Sequence, residues 1–302
     1  LNLVKRIYVV NQKTDWHKEF PTLFQGLGNV KGDYTIELKE NARPYAVAAP
    51  RAVPLPLRKK VEEELGDMVK RGVIEPVDHA TDWCAPMVVV NKKDGGIRIC
   101  VDLSRLNQSV KRQYHPIPRV ELSLAELGGA RVFSKLDANS GFWQLNLSGE
   151  CQDLTTFITP CGRFRFKKLP FGICSASEHF QRRLSSILAA CKNCCIHIDD
   201  ILVWGKDQAE HDASLRAVLE KLRDVGMTLN KKKTEFNKTS VQFLGFSLST
   251  DGIRPDKSKV EGIVNMQAPK NVTEVQRLMG MVNFLSRFIP DKSDVMEPVI
   301  FL

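Results

Sequence analysis

The spacing of apolar and polar positions changes several times along the chain, and each change marks an element. Leu57, Val61, Leu65, Met68 and Val69 share one face at 3.6-residue spacing, predicting a helix from about Leu57 to Arg71 that Gly72 is placed to stop. Two β-branched runs, Val88–Val90 and Ile97–Val101, flank Lys92-Lys93-Asp94-Gly95-Gly96, a strong hairpin signal. Arg131–Leu136 predicts a strand ending at Asp137, followed by a break at Ser140-Gly141. From Ser175 the period is again helical, with Phe180, Leu184, Ile187, Leu188 and Cys191 in step and Ser175/Glu178 spaced as a capping box. Two short apolar runs, Cys194–Ile198 and Ile201–Trp204, meet at Asp199-Asp200 and predict a hairpin with carboxylates at its tip. A helix from about Gln208 to Val225 follows, stopped by Gly226, and then a strand pair within Val241–Leu248. Two last helices are expected, about Asp256–Met266 and about Thr273–Ile289, the second opened by a Thr273/Gln276 capping box and closed by Pro290.

The central order is therefore strand, helix, hairpin, helix, strand, an α+β arrangement compatible with a split β-α-β sheet backed by helices. Residues 1–56 show little regular pattern, and Pro44, Pro50, Pro54 and Pro56 predict an extended, linker-like approach to the first strong helix. The two C-terminal helices predict a smaller lobe. A chain of 302 residues has room for one large domain or a few subdomains. Its net charge of +9 suits a polyanionic partner without naming one. No run of about 18 apolar residues occurs, so no transmembrane helix and no membrane partner are expected. Neither an initiator Met nor a signal-peptide core opens the sequence, and both ends read as cut from a longer product.

The eight Cys follow no disulfide framework, which predicts reduced thiols in an intracellular setting. Cys191, Cys194, Cys195 and His197 include one zinc-like spacing but lack a second pair at finger-like distance. They also straddle a helix end and a strand, where side chains diverge, so small buried hydrophobes is the preferred reading. The Asp199-Asp200 pair is the chemically odd feature, because adjacent carboxylates repel unless a cation neutralises them. By itself it reads as a solvated turn or as a Mg²⁺ site. Together with Asp137 at another strand end, it has the ligand chemistry of two-metal phosphoryl transfer. Arg163, Arg165, Lys167 and Lys168 alternate with Phe164, Phe166 and Leu169, placing charge on a face suited to a nucleic-acid backbone.

At this point a resemblance becomes specific. The ordered stretches Arg71–Pro76, Phe133–Phe142, Leu169-Pro170-Phe171-Gly172, Asp199–Leu202, Gly226–Asn230 and Phe243-Leu244-Gly245 resemble the reverse transcriptase of a Ty3/gypsy-type LTR retrotransposon. The flanks Gly32–Leu38, Gln276–Gly280 and Arg287–Pro290 resemble it too, so the likeness covers nearly the whole chain. It implies a right-hand polymerase with fingers, palm and a partial thumb or connection. The implied division is 1–56 as a linker after an upstream protease region, 57–250 as fingers and palm, and 251–302 as helices leading toward a ribonuclease H domain encoded downstream.

The resemblance also implies site roles. Asp137, Asp199 and Asp200 would hold two Mg²⁺ ions (Mn²⁺ being the alternative), with the Ala138 carbonyl beside the nucleotide-bound ion. Lys92, Lys93 and Arg98 would grip a deoxynucleoside triphosphate, and Phe142 would exclude a ribose 2′-hydroxyl. Phe171 and Gly172 would stack on the templating pair, Phe243-Leu244-Gly245 would grip the primer, and Lys233 would protonate departing pyrophosphate. Implied partners are a primed RNA or DNA template, deoxynucleoside triphosphates, and the rest of the pol polyprotein or a second copy. The implied setting is cytoplasm, virus-like particle or nucleus. Two departures stand out: His197 where an aromatic residue is usual, and Asp102-Leu103-Ser104 with Arg105 shifted by one, which would weaken the triphosphate grip. The competing reading is a decayed or co-opted fragment that binds nucleic acid without polymerising. Three intact carboxylates argue against it.

Overall fold

The computed structural model describes residues 14–92, 95–117, 124–293 and 296. Strand β5 (Val132–Asp137) lies at the centre of a four-stranded antiparallel sheet ordered β11-β5-β10-β9, with β9 at Cys194–His197, β10 at Asp200–Gly205 and β11 at Glu235–Lys238. Helix Ala176–Ile187 precedes the β9–β10 hairpin and helix Gln208–Asp224 links it to β11, so within this sheet the strand, helix, hairpin, helix, strand order read from the pattern is observed. Alternation divides this sheet into two faces. Leu136, Ile201 and Val203 point into the main core with Phe180, Leu184, Leu215 and Leu219. Phe133, Leu202 and Trp204 point the other way, into a second core completed by Phe243, Phe246 and Leu248.

Helix Gln208–Asp224 starts from Asp207, whose side chain accepts from the Glu210 N–H at 2.9 Å. A Cβ on Gly205 would lie 2.3 Å from the His211 nitrogen, so only glycine lets this helix turn back so tightly on β10. Fully buried Ser134 meets His211 Nε2 at 2.8 Å and accepts from the Asn237 N–H at 3.1 Å, tying β5 to helix and neighbouring strand.

A second, five-stranded sheet is ordered β2-β8-β7-β3-β4, from Ile74–Pro76, Gly162–Phe166, Phe157–Thr159, Ala85–Asn91 and Ile97–Val101. Its β3–β4 hairpin is the one expected; Lys93 and Asp94 lie outside the described residues. Helix Leu55–Lys70 packs Val61, Leu65 and Met68 inward and ends at Gly72, which takes φ +66°. A three-stranded sheet, β12-β13-β14 (Ser240–Phe243, Phe246–Ser249, Gly252–Pro255), precedes the helices Lys257–Val264 and Val272–Phe284. No helix among the described residues is long and apolar enough to cross a membrane.

Several expectations need correction. The linker reading of 1–56 fails for its described part. Trp16, Phe20 and Leu23 are buried in the main core, Arg216 lies over the Trp16 ring at 5.3 Å, and β1 (Val30–Tyr34) pairs in parallel with β6 (Leu145–Leu147). Burial of such side chains is worth ~1.5–3 kcal/mol each, enough to hold a segment with little regular structure of its own. Prolines 54 and 56 open a helix instead of extending a linker.

The Ser175/Glu178 capping box does not form. Ser175 Oγ meets the Tyr34 hydroxyl at 2.5 Å, and Glu178 accepts two bonds from Arg112, because tertiary partners displace the local ones. At the last long helix the box is Asn271/Glu274, two residues earlier than expected. The alternating basic face at 163–168 is largely consumed internally. Arg165 is held between Glu75 (2.8 Å) and Asp153 (2.7 Å), Arg163 donates to the His79 carbonyl, Lys167 pairs with Glu75, and Lys168 donates to Asn29 and Asn146.

Candidate active site

The β9–β10 hairpin turns through Ile198 and Asp199, so Asp200 is the first residue of β10 and not part of the tip. Register then sets the geometry: Asp200 lies opposite His197 on β9 and opposite Asp137 on β5. Directly opposed residues on one face have Cβ atoms ~4.5–5.5 Å apart. The Ala138 N–H donates to the Asp199 carbonyl at 2.9 Å, pinning the end of β5 to the turn. Carboxylates far apart in sequence thus share one strand end.

The turn is strained and clamped. Ile198 takes φ +55°, an outlier for a β-branched residue, where a two-residue hairpin ordinarily puts glycine. Its N–H donates to Gln181 Oε1 at 2.7 Å, while Gln181 Nε2 donates to the Ile196 carbonyl at 3.1 Å. Gln181 is buried beneath the hairpin. Sequence reasoning passed over it, although a polar residue in step with Leu184 and Leu188 on an apolar helical stripe was the available signal.

The electrostatics are those of a crowded acidic site. Burial first, and then the neighbouring Asp200 and Asp199, hold the Asp137 carboxyl above the usual carboxylate range, against the opposing pull of Lys233. Lys233 Nζ is 3.2 Å from Asp137 Oδ2, on a turn braced by Asn230, whose N–H donates to the Asp137 carbonyl. Lys135 Nζ is 3.4 Å from Asp200 Oδ1. Among the described residues no three acidic, His or Cys side chains close around a single point. Two of these carboxylates instead carry ammonium groups. The donor set fits divalent cations: it is all oxygen, suited to hard ions, and it already draws positive charge to both flanks. Cys194 and Cys195 do not compete as ligands, because burial pushes both thiols up to about 12.

An aromatic group forms just after β5 in the chain. The Phe142 ring lies 5.0 Å from Phe171 and 5.4 Å from Phe180, and Trp143 is 5.8 Å from Phe171. Phe142 is buried, whereas Phe171 remains 47% exposed. Asn107 fixes the loop behind it, donating to the Gly172 carbonyl at 2.7 Å and accepting from the Cys174 N–H at 2.9 Å. Lys92 and Arg98 are exposed on the β3–β4 hairpin with no side-chain partner among the described residues, and they do not touch the carboxylates. Asp102 pairs with Arg51 at 3.0 Å, and Arg105 stacks over Tyr45 at 5.4 Å, so the departure at 102–105 leaves both residues engaged elsewhere. Phe243-Leu244-Gly245 forms the β12–β13 turn, with Phe243 fully buried and Leu244 and Gly245 both at positive φ.

A palm-like sheet with paired acidic strand ends, beside a separate hairpin-bearing sheet, is the arrangement of a right-hand polymerase fold. A family profile described as reverse transcriptase (RNA-dependent DNA polymerase) matches residues 90–248. The chain is 33% identical over 292 residues to a retrovirus-related Pol polyprotein from transposon opus of Drosophila melanogaster, covering 93% of this chain and 29% of that protein. It is 31% identical over 310 residues to the transposon Tf2-3 polyprotein of Schizosaccharomyces pombe, covering 99% of this chain and 23% of that protein. The chain thus spans about a quarter of the length of the curated relatives it matches. Among solved structures, a foamy viral protease-reverse transcriptase in complex with double-stranded DNA has the same fold, with a TM-score of 0.86 at 23% identity over 95% of this chain and 51% of that one. The chain belongs to the reverse transcriptase family, in its LTR-retrotransposon form, and that family's catalysis depends on divalent metal.

Proposed function

We propose that this chain extends a primer on an RNA or DNA template, joining the primer 3′-oxygen to the α-phosphorus of a deoxynucleoside triphosphate and releasing pyrophosphate. The observation that carries the reading is the register of β5 against β10, which sets Asp137 opposite Asp200 beside the Asp199 turn. Asp137, Asp199, Asp200 and the Ala138 carbonyl would hold two divalent cations, Mg²⁺ or Mn²⁺, which when bound activate the attacking hydroxyl and neutralise the leaving group. Lys92, Lys93 and Arg98 would meet the triphosphate with positive charge, and no ion pair among the described residues draws Lys92 or Arg98 away from that role. Phe142, held rigid between Phe171 and Phe180, would close the space a 2′-hydroxyl needs. The exposed face of Phe171 would carry the templating base, with Gly172 in the turn that presents it. Lys233 would lose its Asp137 partner as cations enter, which frees its Nζ proton for departing pyrophosphate.

Nucleic acid as partner is supported by the +9 charge and by foamy viral relatives solved with double-stranded DNA and with an RNA/DNA hybrid. Residues 57–250 would form fingers and palm, and the helices after 251 the start of a thumb or connection. The rest of a Pol polyprotein, or a second copy, would supply what lies beyond. The test is primer extension on poly(rA)/oligo(dT) with Mg²⁺ and with Mn²⁺. The parent extends, and Asp199→Asn loses at least about 10²–10³-fold. Binding of the primed template without extension by the parent would instead identify a co-opted fragment.

A further inference from the structure

The sheet face that carries the carboxylates descends in rows. Asp137, Asp200 and His197 form the outermost row. One pleat down, Lys135 stands opposite Leu202, Leu202 opposite Cys195, and Glu235 of β11 opposite Lys135. The next row, Phe133 and Trp204, belongs to the second apolar core. Lys135 is therefore rooted at the boundary between acid site and apolar core, two residues before Asp137 on the same face. Its Nζ reaches Asp200 Oδ1 at 3.4 Å. The pair is largely shielded, the two side chains being 23% and 29% exposed. Lys233, which answers Asp137, differs: its side chain is 66% exposed.

Carboxylates set side by side repel one another unless positive charge is at hand. We propose that Lys135 is a built-in counter-cation of this site. It neutralises Asp200 while no divalent ion is bound and competes with the ion for that carboxylate, so that it sets cation affinity and steadies the metal-free palm. The proposal rests on the reading that Asp137, Asp199 and Asp200 hold divalent cations. Three carboxylates face Lys135: Asp200, Asp137 on the same strand and Glu235 across β11. Glu235 gives the ammonium somewhere to go once an ion takes Asp200, its own partner Lys238 being a loose 3.9 Å away. The sheet thus holds both the resting and the displaced position of one positive charge.

The experiment measures Mn²⁺ binding to the full chain from the free-ion electron paramagnetic resonance signal, with thermal unfolding in EDTA and in saturating Mn²⁺. Lys135→Met binds Mn²⁺ about tenfold more tightly, a change of about 1.4 kcal/mol. Its melting temperature falls below the parent's in EDTA and returns to it in Mn²⁺. Lys135→Arg, which keeps the charge, behaves as the parent. Equal Mn²⁺ affinity in parent and Lys135→Met, or an unfolding deficit that Mn²⁺ does not remove, overturns the proposal and reduces Lys135 to packing. A parent that binds no Mn²⁺ overturns the metal-site reading itself, and this inference with it.

Discussion

Replacing Gln181 by leucine tests whether the turn bearing Asp199 is held from beneath. The substitution strips the Ile198 N–H and the Ile196 carbonyl of their side-chain partners in a buried setting. An unsatisfied buried polar group costs ~1–3 kcal/mol, so two cost ~2–6 kcal/mol. Extra apolar burial by the leucine returns about 1 kcal/mol, leaving a net loss of ~1–5 kcal/mol. The kinetic effect should exceed what this loss of stability explains. Ile198 at φ +55° holds ~1–3 kcal/mol of backbone strain, which persists only while its surroundings impose it. Without the clamp the turn relaxes, and a displacement of ~1 Å at Asp199 is worth ~10²-fold in rate. Urea unfolding and primer extension on the same preparation measure both. Adding Ile198→Gly, which takes positive φ without strain, should restore part of the extension rate in the Gln181→Leu background. An unfolding free energy within ~0.5 kcal/mol of the parent, with extension at the parental rate, would refute the reasoning.

Two further outcomes follow from the same geometry. Phe142→Ala should admit ribonucleotides more readily and, because the ring is packed between Phe171 and Phe180, cost ~3–5 kcal/mol of stability. Unchanged sugar discrimination in single-nucleotide incorporation would refute the gate. Burial, aided by Arg182 and Arg183, lowers the His179 pKa to about 4 from 6.5. Between those values the unfolded chain binds the extra proton, so this contribution is complete above pH 6.5 and is lost as pH falls toward 4. For a partly exposed ring it is discounted to about 1–2 kcal/mol. Denaturant unfolding at a series of pH values should show His179→Gln flattening this slope without abolishing it, because burial lowers the His211 pKa in the same direction.

How the site is legible in the sequence depends on the range of the interaction. Elements set by local periodicity were readable: the 55–70 and 208–224 helices with their glycine stops, the β3–β4 hairpin, and the strand–helix–hairpin–helix–strand order of the palm. The three carboxylates were readable as types at strand ends. The misreadings arose where a side chain had a local and a distant partner to choose between. Ser175 and Glu178 have capping-box spacing, yet Tyr34 and Arg112 claim them. Arg165 alternates like a nucleic-acid contact, yet Glu75 and Asp153 enclose it. Trp16 and Phe20 follow no period, because their burial comes from docking against helix 208–224 and β11.

By itself the sequence determined the secondary elements, the basic balance and the inventory of carboxylates and lysines, all consequences of composition and of spacing within one turn or one pleat. Tertiary structure alone decided the register that sets Asp137 against Asp200, the Gln181 clamp beneath the turn, and which lysine answers which acid. Those relations join residues tens of positions apart, and a strand slipped by one residue would turn the same side chains to the opposite face.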